Sequence, residues 1–307
     1  MNIDTLIQSG LENLSVSEIY TQRNKIARTI ARSLGRTDDD DLIERMTKKI
    51  ASQYRCYAAA VTHMRGGHAG YPASFDAVTL FPGRMTAMAA SEDLTGKPRP
   101  DSPWLDLLPA LIFISDLGDA LSREVHFAFL KQEIIDNVAS PKGSRHLWIW
   151  LTKRPERMLE FDRWLAQQGI AWPDNLIAAT TLTSKKFLSR VYWLKQIRAK
   201  FKSLSVEPLW EPIKIPLDGI NWLKLGGESG AYAKPFDLAW AYDLRDQCAE
   251  AGTAFFLKQL GAEPTENGQP IKLKHPHGGD WNEWPRALRI RQFPAEFYRP
   301  QGKSVNQ

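Results

Sequence analysis

The sequence predicts an α/β protein: a partial or near-closed (βα) barrel, with a helical segment before it and an appendage after it. Three observations predict this. Between residues 76 and 261, short apolar runs alternate with longer stretches of helical periodicity, the pattern of a parallel sheet with crossover helices. Each apolar run stops abruptly on a polar motif. The chain, with 307 residues, 43% hydrophobic and 24% charged, is long enough to bury a large core. The organisation read from it is a helical segment over 1–62, a (βα)-repeat barrel over 63–262 and an appendage over 263–307. A doubly wound open sheet is the competing architecture.

Taken in order, the first segment is helical because Ile19, Ile26, Ile30 and Leu34 recur at helical spacing. Gly35 stops that helix, and Asp38 to Asp41 precede the next, where carboxylates suit the helix dipole and one Asp can cap. Two helices joined at a glycine also fit a DNA-binding helix-turn-helix, although acidic and basic residues balance there. Residues 63–74 form a Gly- and His-rich loop; His63 and His68 find no third metal ligand nearby. Asp76 to Phe81 reads as the first strand, ended by Pro82-Gly83. Four prolines make residues 91–109 a surface loop.

Leu111–Ile114 is a buried strand followed by a helix from about Arg123 to Asn137. His146–Leu151 is a strand with its helix from Glu156 to about Gln168. Leu176–Ala179 is a strand whose helix runs to about Phe201. Ser203–Val206 and Trp222–Leu225 are strands, and the helix Leu238–Ala251 leads to the strand Ala254–Leu257. About six or seven such units fit. The tail, from about Glu263, reads as an appendage that either covers the mouth or extends a basic surface through Arg286, Arg289 and Arg291.

In either architecture ligands sit at the carboxyl ends of the strands. Those ends carry Asp116, Asp119, Lys153, Arg154, Glu207, Gly226, Gly227, Glu228, Ser229, Lys258 and Gln259. They are the candidate ligand-binding residues, and they should ring one mouth. In NWLKLGGESG two glycines end a strand, so a backbone or ligand can approach closely, and a carboxylate and hydroxyl follow at once. No nucleophile–base pair is readable, because no histidine falls at a strand end, so catalytic residues are not assigned.

Two cysteines, Cys56 and Cys248, exclude a disulfide framework and a zinc site of four thiolates. The N-terminus lacks the basic start and long apolar core of a signal peptide, and no apolar run is long enough to span a membrane. A cytoplasmic protein without membrane association is expected. A net charge of +5 permits nucleic-acid binding without demanding it. From Asn175 to Val206 there are seven basic residues and no acid. Lys185, Lys186, Arg190, Lys195 and Arg198, interleaved with Tyr192 and Trp193, are the nucleic-acid candidates. A helical wheel nevertheless puts Arg190 and Arg198 near the apolar stripe of Phe187, Val191 and Leu194.

The segments FDAVTLFPGRM, LIFISDLGDAL, LWIWLTKRPERM, SVEPLWEPIKI, INWLKLGGESG, LRDQCAEAGTAFFLKQLG and DWNEWPR occur in this order over about residues 75–292. Together they resemble a radical-SAM-like family of phage and mobile-element proteins, known as phage gene product 37 and gene product 68. The resemblance implies a radical-SAM-like (βα) barrel. The family's head carries three cysteines that hold a four-iron cluster, the last in Cys-Tyr-Ala. Cys56-Tyr57-Ala58 matches that last one, but Gln53 stands three positions earlier and Met46 near the first. One thiolate does not hold such a cluster.

The resemblance therefore implies a phage- or plasmid-type barrel with a degenerate active site. No iron–sulfur cluster is expected. The mouth is expected to bind a ligand, S-adenosylmethionine or a nucleotide among them, or a nucleic acid or a host or rival protein. The competing reading is a cluster-independent enzyme that acts on a nucleotide or nucleic acid at the same mouth.

Overall fold

A computed structural model describes residues 7, 11, 16–53, 57–68, 70–75, 77–115, 117–230 and 233–298. Cys56 and Asp116 lie outside the described residues. The chain forms two compact units, Met1–Phe81 and Pro82–Gln307.

In the first unit the helices Val16–Ser33, Asp40–Gln53 and Tyr57–Arg65 follow one another. Their apolar stripes meet: Ile19, Ile26 and Ile30 pack with Leu42, Ile43, Met46 and Ile50. Gly35 turns at φ 69°, and Arg36 N–H donates to Ala31 O at 2.9 Å, closing the first helix. Asp39 caps the second, its carboxylate accepting from Leu42 N at 2.8 Å. That backbone hydrogen bond holds the Asp39 carboxyl below its usual range. Met46 is fully buried among aliphatic side chains.

The expected strand Asp76–Phe81 is corrected. Residues 77–81, the described part of it, are not strand, and Val78 and Leu80 are exposed. A run of strand-forming residues makes a strand only when a neighbour supplies the ladder.

The second unit is built on a parallel six-stranded sheet that curls into a half-barrel. Its strands are β1 (Leu111–Ile114), β2 (Leu147–Thr152), β3 (Leu176–Thr181), β4 (Lys202–Val206), β5 (Trp222–Gly226) and, after the short β6 (Phe236–Asp237), β7 (Ala254–Gln259). The spatial order is β1-β2-β3-β4-β5-β7. Helices Pro155–Gln167 and Leu238–Ala251 serve as crossovers, while 207–221 crosses from β4 to β5 without one.

Two helices differ from expectation. The one before β2 starts at Phe127 and runs through a π-helical turn, Lys131–Ile135, to Ala139. Residues 119–125 are instead held in turns by Ser122 N→Asp119 O and Val125 N→Ser122 O. The helix after β3, Ser189–Lys195, stops six residues short of Phe201 because Asp162 accepts the Arg198 backbone N–H at 3.1 Å. That contact turns the chain and puts Ile197, Ala199 and Phe201 into the core.

The strands alternate between two cores. Leu204, Val206, Leu223, Leu225, Phe255 and Leu257 face the helices. Leu147, Ile149, Ile177, Ala179, Phe201 and Trp222 face the concave side. Phe293 and Phe297 from the tail fill that concave side at the strand starts, with Phe293 5.0 Å from Trp222 and Phe297 5.0 Å from Phe201. A bridge between Phe256 and Arg291 fixes this return. The tail's β8 (Pro264–Glu266) pairs with β6, and β9 (Gln269–Pro270) pairs with β8. β6 and β8 stand at the carboxyl ends of β5 and β7, so this part of the tail packs beside the mouth, where Leu260 N donates to Gly278 O at 3.0 Å. Arg291 sits 4.0 Å above Trp104 rather than extending a basic surface. No helix among the described residues is long and apolar enough to cross a membrane.

Candidate functional site

Parallel pairing puts the carboxyl ends of all six strands at one edge of the sheet. Ser203, Ser205 and Glu207 alternate onto the concave face of β4 and its end; Trp222, Lys224 and Gly226 do so on β5, and Phe256 and Lys258 on β7. The last positions of these series carry the polar groups.

Glu207 is the hub. Its carboxylate accepts from Lys258 Nζ at 2.9 and 3.1 Å and from Gln259 Nε2 at 3.1 Å. Gln259 Nε2 also reaches Ser229 Oγ at 2.8 Å and Gly227 O at 3.3 Å. The glycines explain how the groups come so close. A Cβ on Gly226 would stand 3.2 Å from the Glu207 side chain, so the missing methyl is the space that carboxylate uses. A Cβ on Gly227 would stand 2.3 Å from Leu260 O, because the backbones leaving β5 and β7 touch there. Gly227 N→Gln259 O and Ala262 N→Glu228 O zip the two exits together at 3.2 and 2.8 Å. The Glu228 carboxylate accepts Lys234 N at 3.0 Å and so anchors the next turn.

Lys224 has a partly accessible stem but a buried Nζ with no hydrogen-bond partner. Its ammonium lies 4.3 Å from the Trp222 ring centre. Burial pushes its pKa down to about 8; Glu207 nearby opposes that shift and Lys258 adds to it. Ser203 Oγ, on the same face of β4 beside Trp222, is also buried without a partner.

A second network closes the ends of β1 and β2. Asp119 accepts from Thr152 Oγ1 at 2.8 and 2.9 Å, from Lys153 N at 3.0 Å and from Leu121 N at 3.1 Å. Arg154 Nη1 lies 4.0 Å away, and its backbone N–H donates to Thr152 Oγ1 at 2.9 Å. Beside it, Arg190 donates to Thr181 O at 2.9 Å and covers the Phe187 ring.

Of the sequence-predicted ligand residues, Glu207, Gly226, Gly227, Ser229, Lys258 and Gln259 converge, with Glu228 on the adjoining turn. Asp119, Lys153 and Arg154 gather in the other network, and Asp116 lies outside the described residues. The basic stretch has its heads engaged within the fold at three positions. Arg198 grips buried Asp162 at 3.0 and 3.2 Å, Lys195 pairs with Asp218, and Arg190 is held as above. The Lys185 backbone N–H meets Glu211 at 2.7 Å, and Lys186 Nζ lies 5.9 Å from the Phe187 ring.

Sequence reading missed Lys224, Ser203 and Thr152. For Lys224 a signal existed: it is a charged residue in mid-strand with apolar residues on both sides. Among the described residues, no group of three or more His, Cys, Asp or Glu could hold a metal ion.

Against known families, residues 47–285 match the model of a family described as a protein of unknown function, DUF5131. No curated protein and no solved structure matches the chain.

Proposed function

The chain belongs to the DUF5131 family, and from that premise and the geometry above we propose that it is a ligand-binding half-barrel whose site is the mouth at the ends of β4, β5 and β7. The ligand is of the adenosyl class, S-adenosylmethionine or a nucleotide. One observation carries this reading: Glu207, fixed by Lys258 and Gln259 across the Gly226–Gly227 step. A preset carboxylate accepts hydrogen bonds from ribose hydroxyls or an amine. The glycines let a ligand lie against the backbone, while Lys258 and Gln259 hold the carboxylate in place.

The half-barrel is in this reading a radical-SAM-like one that has given up its cluster, as in a degenerate phage or plasmid protein. The thiols do not fit a four-iron cluster. Cys248 is buried in the core against the helices with its pKa pushed up to about 12, which leaves Cys56 alone.

The test is calorimetry with S-adenosylmethionine, AMP and adenosine on the full chain. Binding that weakens at least tenfold in Glu207→Gln supports the site. Equal affinity in both proteins removes it. Anaerobic treatment with iron and sulfide that yields one cluster per chain, read by visible absorbance, overturns the loss of the cluster.

A second reading, a cluster-independent enzyme acting on a nucleotide or nucleic acid there, is favoured by the Glu207–Lys258 pair, an acid and a base at hydrogen-bond distance. Turnover abolished by Lys258→Met while affinity persists is its mark.

A further inference from the structure

We propose that Lys224 recognises the anionic end of the ligand, so that the mouth selects molecules bearing a carboxylate or phosphate. This rests on the reading of the mouth as a ligand site. It adds the chemical class of the group that must occupy its floor.

Three observations carry it. First, the Lys224 Nζ is buried and has no hydrogen-bond partner, although an ammonium has three protons to donate. The Trp222 ring under it attracts the charge without accepting a directed bond. A buried charge left so costs stability, and a methionine would fill similar space at none of that cost. Second, the nearest carboxylate is taken. Glu207 acts on Lys224 through space, but its hydrogen bonds go to Lys258 and Gln259. Lys224 and Lys258 thus set two cations against one carboxylate, which leaves a positive charge over. Third, Ser203 Oγ is a further buried donor without a partner, on the same concave face one strand away. An anion on the floor would accept from Lys224 and bring the local charge to zero.

The position fits the pairing of groups. Lys224 lies opposite Ser205 on β4 and Phe256 on β7, two residues before Gly226. It is therefore deeper in the concave face than Glu207. A ligand lying along the Gly226–Gly227 backbone with its hydroxyls or amine at Glu207 would turn its charged end inward. The charged groups that act on Lys224 are Glu207 from β4 and Lys258 from β7. With the free amine pushed down to about 8 by burial, anion binding weakens as pH rises through that value, because the neutral amine no longer supplies the charge.

The experiment compares matched pairs on the full chain and on Lys224→Met. AMP against adenosine reads phosphate; S-adenosylmethionine against 5′-methylthioadenosine reads the carboxylate-bearing end. Inorganic phosphate alone, read by thermal shift, is the probe that needs no nucleoside. In the wild type, one member bearing the phosphate or carboxylate should bind at least about tenfold more tightly than its counterpart lacking that end, the usual yield of a charge-assisted hydrogen bond. Which pair shows this identifies the anion's source. Lys224→Met should abolish the ratio and the phosphate shift while adenosine or 5′-methylthioadenosine binds as before.

In the wild type alone, the ratio should shrink between pH 7 and pH 9. A ratio that survives Lys224→Met overturns the proposal. So does a wild type with no anion preference in either pair and no phosphate shift. Failure of every nucleoside to bind, with a phosphate shift that Lys224→Met removes, instead sinks the adenosyl reading and leaves the anion site standing.

Discussion

The two halves of the mouth use polar residues to opposite ends. At β1 and β2, Asp119 spends its carboxylate on Thr152 and on the backbone N–H groups of Lys153 and Leu121. Every bond there ties the protein to itself, as a cap would. At β4, β5 and β7, Glu207 is bonded to side chains, Lys258 and Gln259, and faces a glycine rather than a methyl group. Beneath it, Lys224 has no partner. One half is closed in structure; the other keeps unspent donors beside open backbone. Polar strand ends are thus not alike, and the unspent half is the one to which the proposed ligand is assigned.

Substitutions can break this contrast, and the largest effect is expected from the backbone. Gly227→Ala places a methyl 2.3 Å from Leu260 O, where neither chain can yield. It should cost about 3 kcal/mol, at the upper end for overpacking, as a lowered urea midpoint.

Lys224→Met should move stability the other way. The Lys224 pKa falls from 10.5 to about 8 on folding, so the unfolded chain binds more protons between those values. The penalty is therefore whole below about pH 8 and fades as pH rises toward 10.5. Below pH 8 the variant should gain up to about 3 kcal/mol, at roughly 1.4 kcal/mol per pKa unit. Melting temperatures that differ equally at pH 7 and pH 10 would refute this account of the buried amine.

Asp119→Ala should cost about 2 kcal/mol, because it leaves the Lys153 and Leu121 N–H groups without their acceptor. Nucleotide affinity should not change; a tenfold loss there would erase the contrast between the halves.

Glu207→Gln should be the mildest for folding. Lys258 is more than half exposed, so the ion pair contributes less than about 1 kcal/mol. The same variant should show the binding loss described above. A large fall in melting temperature with unchanged binding would make Glu207 a second Asp119.

Much of this was legible in the chain itself. The six strands of the half-barrel fall within a residue or two of their apolar runs, because burial on both faces demands near-continuous apolar residues. The helix Leu238–Ala251 begins at its Asp237 cap and ends at Gly252, both visible as residue types. Where the reading failed, a distant partner decided. Residues 77–81 are rich in strand-forming types but join no ladder. The helix after Ser189 stops at Lys195 because Asp162, far off in sequence, holds Arg198. In the basic stretch, Arg198, Lys195 and Arg190 bond to Asp162, Asp218 and Thr181 of the same chain, pairings that the pattern along the chain does not contain.

The sequence by itself determined the alternation of strand and helix, and with it the edge at which the polar strand ends collect. The periodicity of burial is written along the chain, and parallel strands have only one carboxyl end. Tertiary structure alone decided which of those groups are satisfied. It paired Asp119 with its neighbours' backbone, gave Glu207 to Lys258 and Gln259, ran the tail from the strand exits to the strand starts, and left Lys224 without an acceptor. Partners of that kind come from lateral register and from the close approach of glycine backbones, and a one-dimensional pattern contains neither.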